Sequence, residues 1–279
     1  MERTLRWENS GEGNTNGTLA ESVSSVDDPD SIYATYNLHA DWPGLYAGYE
    51  LSPKLARHLY REELFRRKGE RVGTYENASG ILGILYFRFT NRQEAETYLY
   101  DMPRYLQVHV VSVKPVKPDA DLRADIVRLG EYMTPPFSER SLCGRKNLST
   151  GEGNTAESGW NKEIYAEKLI CFANLVTAAN EKGDIIGLAA AYLNRSDYGF
   201  ISMLVVMPEY RRCRVAEALC EEIHRLAREK NIPCIRGEIR KENMACRRLA
   251  EMLGYGEHPG NREGVVEARK NILSECRKR

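Results

Sequence analysis

The 279-residue chain predicts an α/β (α+β) protein: a mixed, largely antiparallel sheet flanked by helices, preceded by a small N-terminal α/β module. Three observations carry this. Apolar, β-rich runs such as "GILGILYFRFT" and "YGFISMLVVMP" alternate with stretches of helical period such as "RVAEALCEEIHRLAREKN", where Val215, Ala218, Leu219, Ile223 and Leu226 form one stripe. The segment "LVTAANEKGDIIGLAAAYLN" reads as two strands folded back at Lys182 and Gly183, which makes them antiparallel neighbours. The chain is also long enough to bury one large core or two modest ones.

Residues 1–30 are rich in Gly, Ser, Asn and Asp and have little to bury, which predicts a mobile leader. The next region, 31–104, predicts a small module in the order α, β, α, β. "SPKLARHLYREELFRRKG" has a Ser cap, a Pro at the first position, Leu55, Leu59 and Leu64 at near-helical spacing, and a closing Gly69, so a helix is expected from about Pro53 to Lys68. "GILGILYFRFT" is a strand, "NRQEAETYLYDM" a short capped helix and "YLQVHVVSVKP" a further strand. "GILYFRFTNRQEAETYL" resembles in layout the third strand and following helix of an RNA-recognition module. The aromatics needed for base stacking are not all present, and adjacent Tyr86 and Phe87 point to opposite faces, so core packing is the expectation.

Residues 105–279 form the second predicted domain. A helix from about Asp121 to Tyr132 follows the strand and a Pro-punctuated turn. "NKEIYAEKLICFANL" places Ile164, Lys168, Cys171 and Phe172 near one helical face. After the hairpin come the strand ending at Pro208, the amphipathic helix, a short strand "PCIRGEIR", a capped helix "ENMACRRLAEMLGY" and a final strand "GVVEARKNI".

Formal charges sum to zero, so no global field argues for nucleic acid or an anionic membrane as partner. No apolar run approaches a membrane span, and the N-terminus lacks the layout of a secretory signal. Seven scattered cysteines without a CxxC pair predict reduced thiols, a cytoplasmic protein and no metal site.

"LVVMPEYRRCRVAEAL" resembles the central strand, turn and helix of the GNAT superfamily of acyl-CoA-dependent N-acyltransferases, whose turn usually reads R/Q-x-x-G-x-G/A. "GDIIGLAAAYL" is similar to that fold's hairpin, and "EIRKENMACRRLAEMLGY" to its next strand and helix. "VSVKPVKPDADLRADIVRL" matches its opening strand and helix in layout. Four segments in order, over about residues 106–260, carry the likeness.

The resemblance implies acetyl-CoA as co-substrate. It places the coenzyme pyrophosphate at Arg211, Arg212, Arg214, Val215 and Ala216, where a helix N-terminus offers unpaired N–H groups. Guanidinium groups there cost about 0.3 to 1 kcal/mol each without an anion and become favourable with one. Alternatively, Glu217, Glu221 and Glu222 offset them as a solvated charge cluster. Arg212 and Arg214 stand where the family has glycine, the residue that takes positive φ without strain, so arginine is expected to hinder the cradle. The resemblance further implies that the backbone of Leu204, Val205 and Val206 holds the pantetheine arm and the thioester carbonyl, and that Asn243 reaches the coenzyme or caps the following helix. Glu238 matches the base of ribosomal-protein N-terminal acetyltransferases; many relatives carry a glutamate there without that role. The family's tyrosine acid is replaced by Ala250, leaving water, Tyr192 or Tyr198 to protonate the departing thiolate.

The expected activity is N-acetyl transfer from acetyl-CoA to a primary amine, by direct attack in a ternary complex. The alternative is a degenerate, non-catalytic domain that binds coenzyme A or serves in protein interaction. The acceptor lining implied is the 137–161 loop and Tyr192–Tyr198, with small amines, peptide N-termini, amino sugars and antibiotics all open. A second copy of the chain is a candidate partner.

Overall fold

A computed structural model describes residues 31–118, 121–137 and 161–273; the expected leader and all but the ends of the 137–161 loop lie outside the described residues. The chain divides into two compact units, 1–110 and 111–279.

In the first unit, β1 (Ile32–His39), β5 (Ile81–Phe89) and β3 (Leu59–Leu64) form an antiparallel sheet in the order β1-β5-β3, and β2 (Gly44–Leu51) pairs with the short β4 (Arg71–Val72). Leu38, Leu85, Phe87 and Phe89 bury one face of that sheet. Against it lies α2 (Arg92–Tyr100), whose Ala95 and Leu99 are buried and whose Asn91 cap accepts from the Glu94 amide at 2.9 Å.

The helix expected from Pro53 to Lys68 is corrected by the structure. Only one turn forms, α1 (Pro53–Ala56), capped by Ser52 Oγ on the Leu55 amide at 3.3 Å with Leu55 fully buried. The remainder becomes β3, paired with β5 from Leu59↔Phe87 to Leu64↔Gly83 across a bulge at Tyr60. A single amphipathic helix gains little until it packs. The open edge of the β-rich strand β5 satisfies the same backbone groups and completes a sheet with a buried face. Strands β1 and β2 were also unanticipated. Phe87 and Tyr86 do face opposite ways: Phe87 is in the core, while Tyr86 lies across from Tyr60 with ring centroids 6.3 Å apart. A four-residue helix α3 (Met102–Tyr105) leads into β6 (Leu106–Val116).

In the second unit the strands run in the order β11-β12-β10-β9-β8-β7-β6, comprising β7 (Asn174–Ala179), β8 (Ile185–Tyr192), β9 (Gly199–Val206), β10 (Cys234–Arg240), β11 (Gly256–Pro259) and β12 (Val265–Asn271). Among the described residues these neighbouring strands pair antiparallel, except β9 with β10, which pair parallel. This is the mixed, antiparallel-dominated sheet with flanking helices that the sequence predicts. Gly183, at φ +87°, turns the β7–β8 hairpin.

One face of the sheet is covered by α4 (Leu122–Gly130) and α5 (Lys162–Phe172), which bury Ile126, Leu129, Ala166 and Leu169 with Leu188, Met203 and Val205. The expected apolar face of α5 is corrected: Ile164 and Phe172 are 56% and 65% exposed. Ala166 and Leu169 pack instead, in one core with Ile126 and Leu129 of α4. The stripe of α6 (Val215–Glu229) is buried as expected at Val215, Ala218, Leu219 and Ile223. Each fully buried Leu or Ile of this kind contributes about 1.5 to 3 kcal/mol. Helix α7 (Met244–Met252) packs Cys246 and Ala250 against Ile239, Val266 and Ala268. Among the described residues no helix is long and apolar enough to cross a membrane.

Candidate active site

The site begins where two parallel strands part. β9 and β10 pair over only three positions, Gly199↔Ile235, Phe200↔Arg236 and Ile201↔Gly237. Beyond them β9 continues along β8 to Val206 and β10 continues along β12 to Arg240, so a wedge opens between the two. Glycine leaves room where they first meet: a Cβ on Gly199 would stand 2.7 Å from Ile235 Cδ1 and 2.5 Å from Leu193 Cδ2, so both side-chain ends would have to shift. At the apex the register of β9 with β8 jumps from Ala191↔Ile201 to Ala190↔Met203, making Ser202 a bulged residue. A bulge re-aims a side chain and frees ladder groups.

Leu204, Val205 and Val206 line the β9 side of the wedge, with Val205 and Val206 buried. The Met207 amide donates to the Ile186 carbonyl at 2.8 Å, which turns the Val206 carbonyl away from β8. There it accepts from Arg211 Nε at 3.1 Å.

At the mouth of the wedge a 3₁₀ turn, Pro208–Tyr210, leads into the residues before α6. Arg212 has φ +64° and Arg214 φ +55°. The expectation that arginine would hinder a glycine-shaped turn is corrected here at the level of the backbone. Both residues take the left-handed conformation, at a cost of about 1 to 2 kcal/mol each. Helix α6 has no side-chain cap, so the amides of Val215, Ala216 and Glu217 open its first turn without intrahelical acceptors.

The three guanidinium groups divide. Arg211 ties together two carbonyls, reaching Tyr132 O at 3.1 Å as well as Val206 O. Arg214 closes on Glu217, with Nε to Oε2 at 2.7 Å, and that bond holds the Glu217 carboxyl below the usual carboxylate range against its partial burial. Arg212 is exposed and has no side-chain partner among the described residues.

At the other end of the wedge, Glu238 follows the last β9–β10 pair, faces Glu267 of β12 in register, and forms an ion pair with Arg262. Like charges opposed across strands are unfavourable. Arg269 donates to Glu267 at 2.8 Å and holds that carboxyl low, and Arg236 lies 3.7 Å from it. Asn243 caps α7, its Oδ1 accepting from the Cys246 amide at 3.1 Å. Ala250 packs in the small α7 core, beside Tyr255. The Tyr255 phenol is pushed up by burial and lies 2.6 Å from His224 Nε2, so it belongs to the interior.

Of the two tyrosines offered as substitute acids, Tyr198 has the Arg195 and Arg236 guanidinium groups over its ring, 4.6 and 4.2 Å from the centroid. Tyr192 is partly buried beside the α4–α5 core, and burial raises its phenol while the Ser202 side chain pulls it back down. Ser202 also meets Tyr165 of α5, whose hydroxyl donates to the Ser202 carbonyl at 3.0 Å and lies 2.8 Å from Ser202 Oγ. Sequence reasoning missed Tyr165 and Ser202. A serine in the middle of "GFISMLVV" was the available signal.

The decisive likeness is one of family: residues 147–255 match the model of the acetyltransferase (GNAT) family. Residues 147–255 are a GNAT acetyltransferase domain. Among solved structures, the ribosomal-protein-S18-alanine N-acetyltransferase of Escherichia coli is similar at 15% identity, covering 58% of this chain and 94% of that one with a TM-score of 0.42. A GNAT-family acetyltransferase of Staphylococcus aureus is similar at 11% identity, covering 58% and 99%, with a TM-score of 0.44. A Bacillus anthracis protein assigned as a streptothricin acetyltransferase, in complex with acetyl coenzyme A, is similar at 23% identity over 35% of this chain and 60% of that one, with a TM-score of 0.31. No curated protein matches the sequence. The GNAT domain is of an acyltransferase family that uses acetyl-CoA, and among its described residues no cluster of His, Cys, Asp and Glu is arranged to hold a metal ion.

Proposed function

We propose that the protein is an N-acetyltransferase that moves an acetyl group from acetyl-CoA to a primary amine by direct attack in a ternary complex. The observation that carries this reading is the wedge between β9 and β10, which narrows at Ile201↔Gly237 and opens toward the uncapped start of α6. A pantetheine arm lying along β9 would find main-chain groups of Leu204 and Val205, with the thioester at the Ser202 bulge and the pyrophosphate at the amides of Val215 and Ala216. Donors aimed at the thioester oxygen stabilise the charge that develops on it. Arg212 is the guanidinium offered to the phosphates; Arg211 holds the turn and Arg214 is engaged by Glu217.

In this reading Glu238 accepts the amine proton, directly or through a water, as the nitrogen attacks the thioester carbonyl. Asn243 contributes through its free amide group or by fixing the start of α7. The acceptor approaches from the α4–α5 side of the sheet, where Tyr165 and Tyr192 lie. The chain acts without nucleic acid or membrane and works as a monomer or paired with a second copy.

A second reading, coenzyme A binding without turnover, is favoured by the Arg262 ion pair, which occupies the candidate base. One titration followed by one assay separates the two. Acetyl-CoA at a hundredfold excess over its dissociation constant should stabilise the fold by about 2.7 kcal/mol, seen as a rise in melting temperature. Binding with thiol release on adding an amine supports the enzyme, and binding without release supports the second reading. An unmoved transition at millimolar acetyl-CoA defeats both.

A further inference from the structure

Strand β10 carries its charges on one face. Ile239 packs toward α7, so alternation along the strand puts Arg236, Glu238 and Arg240 on the opposite face. The register shows which side of the sheet that is. Tyr192, Phe200, Arg236 and Arg269 form one row across β8, β9, β10 and β12, and Tyr192 packs against the α4–α5 core.

In that row Arg236 and Arg269 stand directly opposite each other, an unfavourable pairing unless negative charge lies between them. The carboxylates nearby are mostly engaged. Asp197 holds Arg195 through both oxygens at 3.0 and 3.1 Å, Glu242 lies 3.4 Å from Arg240, and Glu238 pairs with Arg262. Glu267 accepts from Arg269 at 2.8 Å. Arg236 is left over. It comes no nearer than 3.7 Å to Glu267 and lies over the Tyr198 ring, and its side chain donates no hydrogen bond among the described residues. Its Nε is buried without a partner, as is that of Arg269. Partial burial takes water from an ionised group, and with no protein acceptor in return that cost stands until an anion arrives. The Arg236 side chain is 32% exposed, so an anion can reach it.

Resting on the acyltransferase reading, we infer that Arg236 is a specificity-determining residue that binds an anionic group, carboxylate or phosphate, carried by the amine acceptor. A guanidinium matches both oxyanions with two parallel hydrogen bonds. Glu238 follows two positions on along the same face, about 7 Å away by the strand repeat. An acceptor that brings its nitrogen to Glu238 and its anion to Arg236 therefore holds the two groups a few covalent bonds apart. Tyr198 supports the guanidinium from one side and Glu267 limits its swing from another, so the donor edge is held in place before the acceptor binds.

The test follows thiol released from acetyl-CoA by the full-length protein with three matched pairs of amines: 4-aminobutyrate and its amide, phosphoethanolamine and ethanolamine, and a peptide opening Ala-Asp beside one opening Ala-Asn. The pairs separate carboxylate from phosphate and a free small molecule from a peptide. In at least one pair the anionic member should be favoured about ten- to a hundredfold in kcat/KM, mostly through KM, as a charge-assisted hydrogen bond would give. Arg236→Gln should bring that ratio to within about threefold of unity, and Arg236→Lys, a point charge without the planar fork, should leave it in between. The ratio within a pair does not depend on how much of a variant folds. A wild type that uses both members of every pair equally overturns the assignment of Arg236 while leaving the acyltransferase reading in place. An Arg236→Gln variant that keeps the wild-type ratio does the same, because a guanidinium with a purely structural role would lower both members alike. A wild type that releases no thiol with any of these amines overturns the acyltransferase reading and this inference with it.

Discussion

At the start of α6 the chain holds a glycine-like backbone turn with arginines, whereas at the apex of the wedge it holds a strand bulge whose serine is bonded by a tyrosine from a helix. Arg212 and Arg214 adopt positive φ where glycine is expected, so the turn is preserved at the expense of local strain. Ala250 packs in the small α7 core, and the hydroxyls bonded to each other at the apex are those of Ser202 on β9 and Tyr165 on α5. A backbone shape survives substitution if the dihedrals survive, whereas a side-chain contact depends on which residues the fold brings together.

The largest effect expected at either end is at Glu238. Glu238→Gln should lower kcat by about a hundredfold or more while leaving the acetyl-CoA dissociation constant nearly unchanged. Steady-state kinetics beside calorimetric titration would check this, and a mutant with the wild-type pH–rate profile would remove Glu238 from the chemistry. Next comes Arg212→Ala, expected to weaken coenzyme A binding by the ~1.5 to 3 kcal/mol of a charge-assisted hydrogen bond. Arg214→Ala should do much less, because its guanidinium is engaged by Glu217. Equal losses in the two variants, measured at two salt concentrations, would erase the division drawn between these arginines.

Much of the second unit was readable because its signals are local. The hairpin at Gly183, the stripe on α6 and the Asn243 cap each depend on residues a few positions apart. What escaped notice depends on distant partners. The β3 segment carries helical spacing until β5 offers it an edge, and the packed face of α5 is decided by α4. The meeting of Tyr165 with Ser202 joins positions 37 residues apart and has no motif. Turn conformation was half legible: the family pattern indicates positive φ at Arg212 and Arg214, but the residue type argues against it, and the fold overrides the residue type.

Two smaller effects sharpen the phosphate end. Arg214→Gly relieves a left-handed arginine but loses the Glu217 pair and adds unfolded-state freedom, whereas Arg212→Gly gives up no side-chain partner. Arg212→Gly should therefore be the more stabilising of the two, by up to about 1 kcal/mol in denaturant unfolding. An Arg212→Gly protein less stable than wild type would contradict the strain. Smallest is the contribution of Glu217. Its folded-state pKa is depressed by Arg214, so the stability it adds is fully present above its unfolded pKa and lost as pH falls through the folded one. The stability gap between wild type and Glu217→Gln should be constant near neutrality and close in the acidic carboxylate range. A gap independent of pH would mean the pair contributes nothing through charge.

The left-handed arginines also bear on how the turn could change over generations. Arginine codons of the CGN set and glycine codons differ at one base, so relaxation of either residue to glycine lies a single mutational step away. At Arg214 such a step sacrifices a contact inside the molecule. At Arg212 no side-chain hydrogen bond, ion pair or ring contact among the described residues opposes a change to glycine. The two positions therefore differ in what a glycine would cost: an ion pair at one, and no polar contact among the described residues at the other.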